Sequence, residues 1–317
     1  MWKYVVRRTL YMIPILFGVT LITFLLFNVA GGDPAAQMAG KNATAERIEE
    51  IRVLYGFNKP IHMQYLDFVR QIVTFDYGRS ISSKQKISTM IFGESPELSP
   101  VLTSLSLTLP AFLLTLLITI SIALVLTVKR GSKLDKSVMV ICLALLSFSS
   151  LVYILVGQKW LGYELGIFEI SGWDPSWTER WRYLTLPTII FVILSLGSNI
   201  LFYRTIFLEE IFQDYVRTAK SKGLGQKVIL FKHVLRNAMI PIITLVVIQM
   251  PFLILGALLT EAFFGIPGLG GLIFQALNEA DFPVIRAMTV LITIMYMVFQ
   301  LITDVLYSVV DPKVTLK

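Results

Sequence analysis

The sequence predicts an all-α integral membrane protein with six transmembrane helices. Hydrophobic residues make up 55% of its 317 residues and charged residues only 15%, a composition far from that of soluble globular chains. Six apolar runs reach the length of about 20 residues that a helix needs to cross a hydrocarbon core of about 30 Å. They lack the alternation of barrel strands, so only helices would satisfy their backbone hydrogen bonds in lipid.

The apolar runs and the charges between them predict the topology. The spans are expected at residues 9–30, 101–128, 137–157, 184–203, 240–260 and 284–306. Lysine and arginine concentrate in three segments, which the positive-inside rule assigns to the cytoplasm: 1–8, 129–136 and 204–239. Both termini are therefore expected inside, including the tail 307–317. The net charge of +7 follows from this asymmetry and does not indicate a nucleic acid partner.

The remaining segments are expected on the outer side. Residues 158–183 mix both charges, and residues 261–283 contain acidic residues but no lysine or arginine. Segment 31–100 follows the first span, and a loop of this length crosses the membrane largely regardless of its charge. We therefore assign it to the outer side by its place between two spans.

Segment 31–100 contains signals for short helices. Thr44 is a suitable N-cap, Glu46 favours a first helical turn, and Gly56 stands where a C-cap is expected. A second short helix is expected over residues 63–74. We predict a small folded outer domain, and a solvated connector without a role is the alternative.

The sequence gives no sign of catalysis or of a bound cofactor. It lacks the G-x-x-x-x-G-K-[ST] loop that cradles nucleotide phosphates, and the glycine-rich segment 265–271 has no lysine, so we interpret it as a bend at a helix end. His62 and His233 are expected on opposite sides of the membrane, and Cys142 is expected within it, so no metal site is predicted. The chain is therefore not expected to be an enzyme.

A few polar residues interrupt the apolar runs. Because a polar side chain is costly in lipid, each should face another helix or a water-filled cavity. Helix packing is the default interpretation and the lining of a translocation pathway is the alternative. The residues concerned are Ser195, Ser198, Asn199, Gln249 and Gln300.

The cytoplasmic segment 204–239 is the largest surface that another protein could reach. Residues 208–222 are expected to form a helix with acidic residues early and basic residues late, which suits the helix dipole, and Gly223 should end it. A second helix is expected over 226–238, with Val228, Phe231 and Leu235 on one apolar stripe. DNA binding is excluded because both ends are held at the bilayer. Contact with anionic lipid and docking of a protein remain equally favoured.

This segment resembles the cytoplasmic loop of permease subunits of ATP-binding-cassette importers, in the branch that carries peptides and nickel. The general signature is E-A-A, three residues, glycine, nine residues, then I-x-L-P. Arg217-Thr218-Ala219 occupies the first position, Gly223 the glycine and His233-Val234-Leu235-Arg236 the last. Some residues of this chain differ from the general signature. At residues 214–224 they match the version found in the peptide and nickel branch, D-Y-x-R-T-A-x-x-K-G-L.

Further similarities extend along the chain. They include Arg7-Arg8 before the first span, Gly32-Asp33-Pro34 after it, Tyr55-Gly56-Phe57 in the outer segment, the stretch from Glu261 to Gly270, and Asp311-Pro312. The resemblance implies the type I importer permease fold with both termini inside. It also implies a multi-pass protein of a bacterial or archaeal cytoplasmic membrane.

The resemblance also implies partners. The chain would form half of a translocation pathway with a second, homologous permease. Two separate ATPase subunits, which would bind ATP and magnesium, would dock on the cytoplasmic loop, and an extracytoplasmic binding protein would deliver the substrate. Gly223 would be required because a side chain there would block close approach or resist a positive φ. The loop residues implied in coupling are Asp214, Tyr215, Arg217, Thr218, Ala219, Lys222, Gly223, Leu224, Gly225, Phe231, His233 and Leu235.

Peptides are the expected substrate, and nickel or another small solute is the alternative within the same family. An ion-coupled secondary transporter would instead show inverted repeats and buried acids near the middle of the membrane. Neither is evident in the sequence. A membrane scaffold that transports nothing would tolerate substitution of Gly223, which we call the glycine corner, and of the polar residues in the spans.

Overall fold

The computed structural model of the chain describes residues 2–30, 32–40 and 43–310. The Asp311-Pro312 motif and the end of the predicted tail lie outside the described residues. Within them the chain is helical, and β-structure is limited to one isolated bridge between Arg79 and Lys86. The prediction of an all-α membrane protein is therefore confirmed.

The helices are bounded as follows: α1 (Trp2–Leu25), α2 (Pro34–Ala39), α3 (Ala45–Leu54), α4 (Ile61–Thr74), α5 (Ile87–Phe92), α6 (Pro100–Val128), α7 (Lys133–Ser147), α8 (Ser150–Gly157), α9 (Arg180–Ile211), α10 (Asp214–Ser221), α11 (Gln226–Val228), α12 (Leu235–Leu255), α13 (Leu258–Phe264), α14 (Leu269–Asn278) and α15 (Phe282–Val310). Three π-helical segments continue the helices that precede them: Leu26–Ala30 after α1, Gln158–Glu164 after α8 and Ile229–Val234 between α11 and α12.

In the described part of the chain, five helical stretches are long and apolar enough to cross a membrane. They are Leu10–Asn28, Pro100–Val128, Arg180–Ile211, Gln226–Phe264 and Phe282–Ile302. The sixth candidate is the pair Lys133–Ser147 and Ser150–Glu164, which is bent by 92°.

The region of the span predicted over 137–157 is therefore bent near Phe148 and is not one straight helix. The backbone of Phe148 is extended, and Ser149 caps α8 by accepting a hydrogen bond from the Leu151 N–H at 3.4 Å. Serine favours such caps over helix interiors because its hydroxyl competes for backbone groups. The Tyr153 hydroxyl donates to the Leu145 carbonyl across the corner at 2.8 Å, which satisfies an acceptor near the end of α7.

Two spanning helices are longer than their apolar cores. The fourth span was predicted over 184–203, yet α9 continues eight residues further, to Ile211. The fifth was predicted over 240–260, yet its helix starts at Gln226 and is interrupted after Leu255. Hydropathy detects only the apolar stretch of a helix. The backbone hydrogen bonds of the helix continue into the polar sequence beyond that stretch wherever the residues permit.

The bundle is organised around two helix pairs. The most extensive helix contact joins α6 to α9, and α12 packs along α15. Helix α1 lies against α15 and α4, and between residues 10 and 25 several of its large apolar side chains, among them Ile13, Phe17 and Ile22, stay exposed in the isolated chain. That exposure fits a helix that faces lipid or another subunit.

The segment after α1 is folded, as predicted. The Thr44 side chain accepts a hydrogen bond from the Arg47 N–H at 3.3 Å, and Gly56 has a φ of +72° after the end of α3. Ile87 and Ile91 are fully buried in a cluster with residues of α12, α14 and α15. The alternative of a loose solvated connector is therefore not what the structure shows.

A buried carboxylate fastens this outer segment to the bundle. Asp281, just before α15, accepts hydrogen bonds from the Ser80 hydroxyl at 2.5 Å and from the backbone N–H groups of Ile81 and Ser82 at 3.2 and 3.3 Å. Only 2% of Asp281 is exposed. Charge-assisted hydrogen bonds of this kind are the stronger ones in proteins.

We predict that Asp281→Ala lowers the stability of the protein by about 1.5–3 kcal/mol, because the donors of residues 80–82 lose a charged acceptor. Thermal unfolding of the detergent-solubilised protein measures this. Glu279→Ala is the matched control, since that side chain is exposed. Equal melting temperatures of the two variants would refute the role of Asp281.

Candidate functional site

The loop after α9 is a short helix packed onto the bundle by one face. Val216 is fully buried and Ala219 is 4% exposed. They join a cluster that includes Tyr203 and Phe207 from α9 and Leu124 from α6. The opposite face of α10 is exposed. The helix is therefore amphipathic, and its apolar face is held by the ends of spanning helices.

The predicted single helix over 208–222 is broken in the structure. Helix α9 ends at Ile211, Gln213 has an extended backbone (φ −68°, ψ 153°), and α10 starts at Asp214. The Gln213 carbonyl accepts the N–H of Val216 at 3.0 Å. The break turns the chain so that Val216 and Ala219 reach the cluster, and Asp214 becomes an acid in a first helical turn, which the helix dipole favours.

Gly223 ends α10 in a Schellman motif. The Gly223 N–H donates to the Lys220 carbonyl at 2.9 Å, and the Leu224 N–H donates to the Ala219 carbonyl at 3.3 Å. Gly223 has a φ of +74°, which L-residues rarely adopt. A Cβ at this position would meet no atom within 4 Å in the isolated chain. We expect glycine here either because a partner approaches closely or because φ is positive. In this chain by itself, the positive φ is the reason that applies.

The second limb of the loop is continuous with a spanning helix. The helix predicted over 226–238 does not end there, because α11, the π-helical segment Ile229–Val234 and α12 follow one another without interruption. Gly225 has an extended backbone at its start. Any displacement of this limb is therefore a displacement of the helix that reaches Leu255.

Of the apolar stripe predicted on this limb, Leu235 packs against the core cluster, whereas Val228 and Phe231 do not face it. Val228 is 44% exposed and Phe231 is 62% exposed, and Leu235 is only partly buried. The cluster is instead filled by Ile229, Leu230 and Val234. A π-helical turn contains more residues than an α-turn, so it rotates the register and presents the neighbouring side chains to the core.

Polar contacts brace the base of the loop. The partly buried Tyr215 hydroxyl donates to Glu210 Oε2 at 2.5 Å, and burial followed by this hydrogen bond raises the pKa of Tyr215 to about 12. The hydroxyl thus remains a donor at neutral pH. Nearby, Arg204 donates from Nε and Nη2 to the two carboxylate oxygens of Asp135 at 2.8 and 2.9 Å, a bidentate pair between α9 and α7.

The residues predicted for coupling divide into two groups. Tyr215, Ala219, His233 and Leu235 are buried or partly buried at the base of the loop. The others are exposed, and together with the exposed Val228 they form what we call the loop surface: Asp214, Arg217, Thr218, Lys222, Gly223, Leu224, Gly225, Val228 and Phe231. An exposed ion pair links Asp214 and Arg217 at 3.4 Å. The loop surface combines basic groups with apolar side chains.

The structure does not gather the predicted polar residues of the spans into one network. The Ser195 hydroxyl donates to the Phe191 carbonyl at 3.0 Å and the Ser198 hydroxyl to the Ser195 carbonyl at 3.4 Å, both within α9. Ser198 is exposed, and Asn199, Gln249 and Gln300 are partly buried. Apart from this Ser198–Ser195 bond within one helical turn, no hydrogen bond among the described residues joins any two of the five.

Sequence reasoning missed a buried glutamate at the far end of α12. Glu261 is fully buried, and its carboxylate accepts the N–H groups of Ala257 at 3.2 Å and Gly271 at 3.0 Å. Ser104 in α6 touches the same carboxylate, and its hydroxyl accepts the Leu269 N–H at 2.8 Å. A cluster of glycines after an acid in an apolar stretch was the signal that could have revealed it.

The glycines are needed to enclose that carboxylate. A Cβ on Gly256 or Gly268 would lie 1.9 or 2.4 Å from a Glu261 carboxylate oxygen. The interpretation of 265–271 as a bend at a helix end is confirmed, since α13 ends at Phe264 and α14 starts at Leu269. The segment thus encloses a carboxylate of its own chain.

Two family models together match almost the whole chain. The model described as the inner membrane component of binding-protein-dependent transport systems matches residues 117–316, and the model of the N-terminal part of that membrane component matches residues 1–120. The chain belongs to this family. It is therefore an inner membrane component of a binding-protein-dependent transport system, which agrees with the apolar helices and the exposed loop.

Several relatives of this inner membrane component match it from end to end. The oligopeptide transport system permease protein AppB of Bacillus subtilis is 33% identical over 99% of both chains. The dipeptide transport system permease protein DppB of Alkalihalophilus pseudofirmus is 31% identical over 99% of both. The glutathione transport system permease protein GsiC of Salmonella typhimurium is 30% identical over the full length of both.

We predict that Gly268→Ala destabilises the protein by about 1–3 kcal/mol, because the added methyl group overlaps the enclosed carboxylate of Glu261. Gly225→Ala is the control, since a Cβ there meets nothing within 4 Å and the φ of Gly225 is negative. Melting temperatures in detergent compare the two variants. A Gly268→Ala protein as stable as Gly225→Ala would show that the enclosure is not tight.

Proposed function

We propose that this permease forms half of the translocation pathway of an ATP-binding-cassette importer for peptides and is coupled to separate ATPase subunits through the loop surface. The observation that carries the proposal is the two-sided character of α10. Its outer face is free in the isolated chain, whereas Val216 and Ala219 on its inner face are packed among the ends of spanning helices.

The inner face supports transmission of force. The cluster beneath α10 contains residues of α6, α9 and α12, among them Leu124, Phe207 and Ile242. Sliding α10 without moving these helices would expose buried side chains at a cost of about 1.5–3 kcal/mol for a valine alone. A push on the loop surface is therefore transmitted to three helices rather than absorbed locally.

The second limb extends the same connection across the membrane. The helix from Gln226 to Leu255 has 30 residues, so it is about 45 Å long at 1.5 Å per residue. It ends at Gly256, beside the enclosed carboxylate of Glu261. Because the helix is continuous, although it contains Pro241 and Pro251, it would carry a rotation at the loop to the opposite side of the bundle, as alternating access requires.

The composition of the loop surface favours a protein partner. Leu224, Val228 and Phe231 are exposed apolar side chains, and Arg217 and Lys222 flank them. Apolar centres with a charged rim are typical of protein interfaces. The residues by themselves favour protein docking and contact with anionic lipid equally. Membership of the transport family favours docking of an ATPase.

Peptides are the proposed substrate. The relatives named above are called oligopeptide, dipeptide and glutathione transport system permeases. Nickel or another small solute remains the alternative within the family. The ion-coupled secondary transporter has no support from either family model.

The proposed pathway lies between this chain and a second, homologous permease, with an extracytoplasmic binding protein delivering the substrate. Ser195, Ser198, Asn199, Gln249 and Gln300 are proposed to line it. Ser198 is exposed and the others are partly buried in the isolated chain, so they are available to a shared pathway.

We predict that Gly223→Glu abolishes uptake while the protein still inserts and pairs with its sister permease, because the side chain strains the positive φ and adds negative charge to the loop surface. The measurement combines an uptake assay with recovery of partner subunits from native membranes in mild detergent. Two ATPases and a second permease should accompany the wild type, and the ATPases should be depleted from the variant.

Gly131→Glu is a closely matched control for this experiment. Gly131 has a φ of +77°, and a Cβ there also meets no atom within 4 Å, yet it lies outside the loop surface. It should retain uptake and both ATPases. Normal uptake by Gly223→Glu would contradict coupling, and recovery of the wild type without any ATPase would favour a transporter independent of ATP.

We predict that Val216→Ala separates docking from transmission. The substitution leaves the exposed face intact but opens a cavity under α10, at a stability cost of about 1–3 kcal/mol. ATPase recovery should match the wild type, whereas substrate transported per ATP hydrolysed should fall several-fold in proteoliposomes. Val53→Ala, on an exposed side chain of α3, is the control. Unchanged coupling efficiency in Val216→Ala would refute the rigid connection.

A further inference from the structure

A cavity of about 110 Å³ lies between the outer segment and the ends of two spanning helices, far along the chain from the loop surface. Its walls include Asn28 after α1, Phe68 in α4, Tyr77 in the following turn and Arg286 in α15. A cavity of about 10–15 Å³ holds a single water, so this one has room for a group of several heavy atoms.

Arg286 has no ion-pair partner in the described part of the chain. Its guanidinium lies over the ring of Phe68, with Cζ 4.4 Å from the ring centroid, and only a small fraction of the residue is exposed. A buried cation without a counterion is costly unless a charge or a π-face compensates it. The aromatic face supplies part of that compensation and leaves the guanidinium hydrogen-bond donors available.

The rest of the wall does not neutralise this charge. Asp67 lines the cavity, but its carboxylate already pairs with Lys59 Nζ at 2.6 Å. Arg79 adds a second guanidinium, whose hydrogen bond goes to the Lys84 carbonyl at 3.1 Å. The wall thus carries two arginines and one carboxylate that is already paired, which favours an anion.

Two further cavity-lining residues carry buried polar atoms without a hydrogen-bond partner, Asn28 Oδ1 and the Tyr77 hydroxyl. The Asn28 amide nitrogen donates to Gln64 Oε1 at 3.2 Å, which leaves the oxygen as an unused acceptor. Burial raises the pKa of Tyr77, so its hydroxyl stays protonated and remains a donor. Native proteins leave few such atoms unsatisfied, and those that remain call for an explanation.

We propose that this cavity binds an anionic group that also carries a hydroxyl donor, of the glycerophosphate class. The phosphate would pair with Arg286 and accept from the Tyr77 hydroxyl, and a glycerol hydroxyl would donate to Asn28. Such a group is found in the headgroup of phosphatidylglycerol and in free glycerol phosphate. The inference does not depend on the proposed substrate or on ATPase docking.

The geometry also indicates what binding would do. The cavity is bounded by α4 of the outer segment and by the start of α15, and the rings of Phe27 and Phe282 lie beside it with centroids 5.9 Å apart. A ligand that bridges Asn28, Tyr77 and Arg286 would join α1, the outer segment and α15. It would therefore stabilise the outer end of the bundle.

The test uses the full chain, purified with the subunits it retains, in nanodiscs of phosphatidylcholine with or without phosphatidylglycerol. Lipid retained after transfer to detergent is measured by native mass spectrometry. A second arm measures thermal stabilisation by glycerol 3-phosphate in phosphatidylcholine alone. Retention of phosphatidylglycerol identifies a lipid headgroup as the source, whereas stabilisation by glycerol 3-phosphate alone identifies a free ligand.

Three variants make the test decisive. Arg286→Gln should weaken binding at least about tenfold, because a charge-assisted pair is lost. Tyr77→Phe should weaken it about fivefold, the effect of one hydrogen bond, and should leave the melting temperature of the ligand-free protein unchanged, since the hydroxyl has no protein partner. Tyr163→Phe, on a side chain that is 73% exposed, should behave as the wild type.

The proposal is overturned if the wild type binds neither phosphatidylglycerol nor glycerol 3-phosphate. It is equally overturned if phosphatidylcholine is retained as well as phosphatidylglycerol, or if Tyr77→Phe and Arg286→Gln both bind with unchanged affinity. Tyr77→Phe removes only an unpaired hydroxyl and should fold normally. If Arg286→Gln misfolds, Tyr77→Phe alone still tests whether the cavity binds the ligand.

Discussion

The burial of Val216 and Ala219, on the inner face of α10, is the contact on which the proposed coupling depends. It is an apolar contact among helix ends, with no ion pair or hydrogen bond of its own, and it fixes which face of the short helix is available to a partner. The break at Gln213 brings Val216 and Ala219 to this contact, and Arg217 lies on the opposite, exposed face of α10. In the proposed function, the loop without that contact would be a charged tether between two spans and could not transmit a push.

The two ends of α12 are held by different kinds of interaction. At the loop end, Leu230 and Val234 make apolar contacts, which are non-directional and tolerate small rotations. At the other end, the Thr108 hydroxyl of α6 donates to the Leu253 carbonyl of α12 at 2.5 Å, and a hydrogen bond demands distance and angle. A helix with a directional anchor at one end and an adaptable one at the other is suited to pivot about the anchored end.

Local chemistry explains what could be predicted from the sequence. The spans follow from hydropathy, Thr44 and Gly56 bound α3 as their cap preferences require, and Gly223 ends α10 with a positive φ. These features depend on neighbours within a few residues. The family signature located the loop for the same reason, because its pattern is contiguous.

The features that escaped prediction depend on residues distant in the sequence. Both sides of Gln213 favour a helix, and only the burial of Val216 against α9 decides that the chain breaks there. The stripe of Val228 and Phe231 was assigned from α-helical spacing, which a π-helical turn shifts. The carboxylate of Glu261 also contacts Ser104, more than 150 residues earlier in the chain, and the local glycine pattern could not have revealed that contact.

With the membrane boundary at the predicted end of the apolar run, the overhang of α9 would give the loop clearance from the lipid. The apolar run ends near residue 203, and the eight further residues to Ile211 add about 12 Å at 1.5 Å per residue. The headgroup layer on one side of a bilayer is about 5–8 Å thick. Helix α10 would therefore stand in water beyond the lipid phosphates, where a large soluble subunit can approach it without displacing lipid.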